Sequence, residues 1–283
     1  MDRRITPYSG RIAHVSLQGE IDAPMTEGEP GQIIQPIADL WDVPGGARDR
    51  QLLMGAAVTV IDRTKGHVFV RADRDGYCGW VNEKAVGTGP EPTHWVIAPA
   101  SYTFAEPQVQ AREKIHLSLG ARVCVKGSWG DWANTPHGFM HMGHLHLIGQ
   151  VAPDPVGVAE SLLGTPYLWG GNSRLGLDCS GLVQIALHAA GFDCPGDSDL
   201  QMAVGRGLVP EERLQRGDLI FWSGHVAMVV NNDVLIHANA HSMSVSYEGI
   251  VEAINRIAKS GGGLVQARNR LDALPYSTMP NRR

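Results

Sequence analysis

The chain has 283 residues, 43% of them hydrophobic and 19% charged, with a formal net charge of −5. That is the composition of a globular chain with material for a sizeable core, and at about 150 residues per domain the length suggests two domains or more. The acidic balance, and the lack of any basic run longer than a pair, exclude a surface that tracks phosphates, so nucleic acid is not an expected partner. No window approaches the ~18 apolar residues of a membrane span. "HVSLQGEIDAPMTEGEP", near the start, carries acids where a secretory leader carries its apolar segment. The expected location is therefore cytoplasmic, without a membrane partner. Four cysteines (Cys78, Cys124, Cys179, Cys194) form neither a metal-ligand pair nor a small-domain disulfide framework.

Residues 1–32 are mixed in composition and read as an N-terminal arm, either packed on its neighbour or loose. The next stretch is weakly repeated. "IIQPIADLWDVPG" (33–45) and "HWVIAPASYTFAEP" (94–107) each join a short apolar strand to a proline turn. "QLLMGAAVTVID" (51–62) and "KIHLSLGARVCVKG" (114–127) each set a glycine between two β-rich runs, and a glycine-aromatic segment closes each copy. Short alternating strands with frequent turn signals predict two small β-barrels, over 33–90 and 93–150.

Near "GQVAPDP" (149–155) the pattern changes. "PVGVAESLLG" predicts a helix with Pro155 in its first turn and Gly164 as its stop, and 178–191 a second, capped by Asp178 and ended by Gly191. Three short strands follow, "LIFWS", "HVAMVV" and "VLIHA", and then a late helix, "YEGIVEAINRIAKSGGG". Helices first and a strand meander afterwards predict an α+β domain over 153–275.

Cys179 stands at the first helical position, where unpaired N–H groups and the helix dipole favour a thiolate. Taken alone it also fits a small buried hydrophobe. A nucleophilic thiolate needs a base, and the meander supplies two imidazoles: His225 opens one strand and His237 ends the next. The ends of an antiparallel pair lie side by side, which predicts a Cys–His–His arrangement in which one ring orients the other. His137, His141, His144 and His146 do not share one strand face, and no carboxylate or cysteine completes a zinc-like set, so no metal is expected.

"GTPYLWGGNSRLGLDCSGLVQ", "GDLIFW", "GHVAMVV" and "LIHA" occur in order over about 155–270. This stretch resembles the NlpC-type family of papain-like bacterial cell-wall cysteine peptidases. The two barrels resemble the bacterial SH3-like domains that often precede the peptidase, with "DGYCGWV" (75–81) typical of their final hairpin. The resemblance implies a papain-like α+β fold without a cofactor. It makes Cys179 the nucleophile, His225 the base and then acid, and His237 the residue that orients it. Tyr167 would share the oxyanion with the Cys179 backbone N–H.

Members with two leading barrels resemble γ-D-glutamyl-L-diamino acid endopeptidases, which act on stem peptides with a free L-alanine amine, the first barrel walling the pocket. On that resemblance Asp178, Ser180, Asp197 and Ser198 line the site, and Tyr77 and Asp49 contribute from the first barrel. Asp49 stands where relatives carry a glutamate, and Gly196 where an arginine usually precedes the Asp-Ser pair. The function the resemblance implies is cleavage of the γ-D-glutamyl–L-diamino acid bond of peptidoglycan stem peptides with a free N-terminal L-alanine, as a step in their recycling. Two alternatives remain at this stage: a peptidoglycan-binding module with an inactive third domain, and an acyltransferase or amidase on the same scaffold.

Overall fold

The computed structural model describes residues 1–271; the last four residues of the expected 153–275 domain lie outside them. The chain divides into two compact units. Residues 1–150 with 169–174 form the first, and, among the described residues, 151–168 with 175–271 form the second.

The first unit holds both barrels. A seven-stranded antiparallel sheet runs in the spatial order Arg48–Leu53, Ile37–Trp41, Cys78–Asn82, His67–Ala72, Ala57–Thr64, Glu29–Ile33, Val86–Gly87. It begins at Glu29, four residues before the expected start, because Glu29 to Gln32 pair with Val60 to Ala57. Alternation sends Ala38 and Leu40 inward with Val58, Val60, Val68, Val70 and Tyr77.

The opposite face carries Ile61, Phe69, Cys78 and Trp80, and Ile12 of the arm packs on it. The arm is fastened there. Arg4 O accepts the Cys78 N–H at 2.6 Å, and Arg11 holds the nearly inaccessible carboxylate of Asp62 at 2.7 Å. The arm is thus part of the unit, which decides between the two readings of residues 1–32.

In the second barrel a five-stranded sheet (Glu113–Ser118, Ala100–Phe104, Gly138–His141, Trp132–Thr135, Gly127–Trp129) joins a three-stranded one around Val96, Leu117, Val123, Ala133 and Met140. Met54 of the first barrel enters that core. At this joint Arg122 N donates to Met54 O at 2.8 Å. Gly55 has φ +80°, and a Cβ there would lie 2.4 Å from the Arg122 carbonyl oxygen, so the close approach requires glycine.

The second unit is a six-stranded antiparallel sheet in the order Arg206–Gly207, Ala267–Arg270, Leu219–Trp222, His225–Val229, Val234–Asn239, Ser244–Gly249. Helix α1 (Pro155–Glu160) has Asp154 as N-cap, accepting from Val156 N at 3.0 Å. It packs on α2 (Cys179–Ala189), and α2 packs on the two strands carrying the histidines. Short α3 (Ser198–Gln201) follows, and α4 (Ile250–Lys259) sets Ile250, Ala253 and Ile257 against Ile220, Trp222, Ala227, Val229 and Leu235.

Leu219–Trp222 is buried at every residue, which explains why it reads as a continuous apolar run. One expectation is corrected here. Tyr247 and Glu248 do not begin the late helix; they lie in a strand, Ser244–Gly249, paired along Val234–Asn239. The helix starts at Ile250, after Gly249 as N-cap. Among the described residues no helix is long and apolar enough to cross a membrane.

Candidate active site

The site in the second unit is built from the first turn of α2 and the ends of two strands. Asp178 takes extended backbone as N-cap, and its Oδ1 accepts from Gly181 N at 2.7 Å and from Ser180 Oγ at 2.9 Å. This fixes the turn that carries Cys179. The thiol is 7% exposed and donates to Gly224 O at 3.9 Å. Backbone N–H groups of Val226, Ser180 and Cys179 point toward the sulfur. The nucleophile candidate therefore rests against the backbone on both sides of His225.

The strands bearing His225 and His237 are laddered only at Met228↔Ile236 and Val229↔Leu235. Beyond that ladder the two rings meet, with His225 Nε2 2.9 Å from His237 Nδ1 and centroids 5.1 Å apart. Trp222, opposite His225 in the ladder, sets its ring 5.7 Å from the His225 ring. With Nε2 engaged, Nδ1 is the His225 nitrogen left outside the ring pair.

Two residues that the sequence reading missed extend the chain. Oε2 of Glu248 is 3.0 Å from His237 Nε2, although that nitrogen makes no well-aligned hydrogen bond. Glu248 is in turn gripped by Arg256 of α4, Nε to Oε1 at 2.8 Å and Nη2 to Oε2 at 2.7 Å. Glu248 is reached diagonally across the sheet, since His237 pairs with Ser246 and Leu235 with Glu248.

The electrostatics favour neutral groups at rest. Burial pushes the Cys179 thiol up to about 12, and Asp178 pushes the same way. Burial lowers His225 to about 3, with His237 and Arg256 adding to the effect and Glu248 opposing it. It lowers His237 to about 4, again against Glu248. The helix start therefore does not by itself hold a thiolate, as the sequence suggested; desolvation outweighs it.

Tyr167 lies half-buried after the Pro166 turn, its N–H bonded to Met243 O at 2.9 Å. Burial, and behind it Cys179 and Asp178, raise its phenol to about 12, so it keeps its proton and remains a donor.

The loop after α2 is held by Gln201, which is fully buried. Its Nε2 donates to Ser180 O at 3.0 Å, Pro195 O at 3.1 Å and Gly196 O at 2.7 Å. This ties Asp197, the N-cap of α3, and buried Ser198 to the turn that bears the thiol. Gln201 is a third residue the sequence reading missed; nothing in "SDLQM" distinguishes it from a surface amide.

Tyr77 and Asp49 belong to the first unit. Tyr77 is 1% exposed inside the first barrel, with the Arg50 guanidinium 4.9 Å over its ring. Asp49 is in a bidentate ion pair with Arg3 of the arm, at 2.6 and 2.8 Å. In the second barrel His144 Nδ1 bonds Ser101 Oγ at 2.9 Å and His141 Nδ1 accepts from Gly143 N at 3.2 Å.

Comparison with known proteins gives concordant matches. The NlpC/P60 family profile matches residues 164–256, and that of the bacterial dipeptidyl-peptidase SH3 domain matches 40–86. The chain is 27% identical over 239 residues to a γ-D-glutamyl-L-lysine dipeptidyl-peptidase of Bacillus cereus (73% of this chain, 72% of that protein). It is 32% identical over 201 residues to a protein of the same name from Bacillus subtilis (65% of this chain, 67% of that protein). The crystal structure of an NlpC/P60 family protein from Bacillus cereus shares the fold, with a TM-score of 0.73 over 87% of this chain and all of that one, at 22% identity.

Proposed function

Given that the chain belongs to the NlpC/P60 family and is a cysteine peptidase, we propose that it hydrolyses the γ-D-glutamyl–L-diamino acid bond of peptidoglycan stem peptides. We assign it peptides with a free N-terminal L-alanine, in the recycling of wall-derived fragments. The observation that carries the reading is the buried Cys179 thiol set against the backbone around His225, whose ring is in turn bonded to His237. The names of the two Bacillus relatives support the choice of bond.

In the proposed reaction the thiol proton passes to His225 Nδ1 as the sulfur attacks the scissile carbonyl carbon. The oxyanion forms beside the Cys179 N–H and the Tyr167 hydroxyl. His225 then returns the proton to the leaving amine of the diamino acid. Water, deprotonated by the same nitrogen, releases the dipeptide from sulfur and regenerates the thiol. Asp178, Ser180, Asp197 and Ser198 are the polar groups we assign to the substrate.

The test uses L-Ala-γ-D-Glu followed by L-lysine or meso-diaminopimelate, free or N-acetylated at alanine, with Cys179→Ala as control. Release of L-Ala-D-Glu from the free peptides alone, lost in the variant, is the expected result. Cleavage of acetylated and free peptides alike would overturn the amine requirement. Failure to release the dipeptide from any of them would overturn the substrate assignment.

A further inference from the structure

We propose that Glu248, clamped by Arg256, is a positioning residue that sets the tautomers of the histidine pair and thereby makes His225 a base. The inference rests on the assignment of Cys179, His225 and His237 given above and deepens it.

The argument is one of proton counting. A neutral imidazole has one N–H and one lone pair. The single hydrogen bond between His225 Nε2 and His237 Nδ1 can run in either direction. If His225 Nε2–H donates, His225 Nδ1 carries a lone pair and can accept the thiol proton. If His237 Nδ1–H donates, His225 carries its proton on Nδ1 and no base faces the sulfur. A histidine in the third position accepts both directions, unlike a carboxylate, which can only accept. Something beyond His237 must choose.

Glu248 is that group. Arg256 holds its carboxyl below the usual carboxylate range, so it is ionised and acceptor-only. Its Oε2, 3.0 Å from His237 Nε2, calls for a proton on that nitrogen. The His237 lone pair is then on Nδ1, His225 donates to it from Nε2, and His225 Nδ1 is unprotonated. When the thiol proton arrives at His225 Nδ1, the charge on the two rings faces the same carboxylate.

Arg256 has a separate part. The charged groups acting on the rings are Glu248 and Arg256, with His241 the further titratable group beside His237, while Asp178 acts on the thiol. The guanidinium balances Glu248, so the carboxylate directs protons without holding the pair as imidazolium at rest. The two nitrogens of Arg256 also fix both carboxylate oxygens, which keeps Oε2 aimed at His237.

The decisive experiment reads the tautomers directly, by long-range ¹H–¹⁵N spectra of full-length protein labelled with ¹⁵N-histidine, assigned through His225→Gln and His237→Gln. Both rings are expected as Nε2–H in the unsubstituted protein near neutral pH. An Nδ1–H form of either ring would overturn the proposal, and this readout needs no known substrate. Glu248→Leu should shift the pair toward the Nδ1–H form of His237 and lower kcat by about 10- to 100-fold with KM little changed, the scale of outer-shell partners. Glu248→Gln, which keeps an acceptor oxygen, should recover part of that loss. Arg256→Leu leaves the carboxylate unbalanced and should move the acid limb of kcat/KM to higher pH. Unchanged tautomers in Glu248→Leu, or an acid limb unmoved in Arg256→Leu, would overturn the proposal. Inactivity of the unsubstituted protein on the stem peptides, with the expected tautomers present, would count against the substrate and leave this proposal standing.

Discussion

Acidification is the perturbation to which the two buried imidazoles respond most directly. Burial holds His225 at about 3 and His237 at about 4, while an unfolded histidine titrates near about 6.5. The unfolded chain thus binds protons that the folded chain refuses. Stability is full above about pH 6.5 and falls as pH drops toward the folded values. Between pH 7 and 5 the unfolded ring gains most of a proton over roughly 1.5 pH units, at about 1.4 kcal/mol per unit. The loss is about 2 kcal/mol for each ring and on the order of 4 kcal/mol for the pair.

Asp154, Glu160 and Glu248, whose pKa values are lowered, lose their contribution only below the ordinary carboxylate values of about 4, outside this window. Native-state hydrogen exchange of the strand amides between 219 and 239 reads the opening of this unit. The reference is the His225→Gln/His237→Gln variant, which keeps hydrogen-bonding groups and does not titrate. The unsubstituted protein is expected to lose on the order of 4 kcal/mol more than the variant between pH 7 and 5. Equal losses in the two proteins would refute the reasoning.

Other substitutions test the surroundings of the thiol and the barrel unit. Asp178→Ala removes the acceptor for Gly181 N and Ser180 Oγ and should cost about 1 kcal/mol. Asp178→Asn keeps an acceptor but not the charge, so pH-dependent alkylation should show a lower Cys179 pKa in both variants. Gln201→Leu leaves the carbonyls of Ser180, Pro195 and Gly196 without their donor. Thermal unfolding should register about 1–3 kcal/mol, and KM should rise more than kcat falls. Gly170→Ala meets both a φ of +69° and a Cβ 2.6 Å from Asp49 O. Calorimetry should find the barrel unit destabilised by about 1–3 kcal/mol.

Cys179, His225 and His237, the residues we assign to the chemistry, were legible because each sits at a position that local rules mark. A cysteine behind an N-cap aspartate, and histidines where apolar runs begin and end, stand out along the chain. Glu248 and Arg256 did not, because they reach His237 through a diagonal strand contact and a helix folded back from the next turn. In sequence they are a glutamate beside a glycine and an arginine on an amphipathic helix, both ordinary for solvated faces. The strand Ser244–Gly249 was hidden by its serines, and its end, from Tyr247, was read as the start of the helix that follows. The barrels were legible through glycines between β-rich runs, such as Gly55 and Gly120. Their N-terminal boundary was not, because Pro30 and Gly31 disguise a paired strand. The ionisation of Cys179 was misjudged for a similar reason: a helix start is local, whereas desolvation depends on everything packed above it.

The short segment 169–174 has a consequence for the order in which the protein is made. Asn172 N donates to Gln51 Oε1 at 3.2 Å and Arg174 N to Ser118 Oγ at 3.1 Å, so the segment touches both barrels. It leaves the ribosome only after residues 151–168, which belong to the other unit. At about 5–20 residues per second, the first barrels emerge seconds before the piece that completes them. Translation therefore passes through an interval in which the strand Arg48–Leu53 lacks its last neighbour. A gene cut at residue 150 would freeze the protein in that interval.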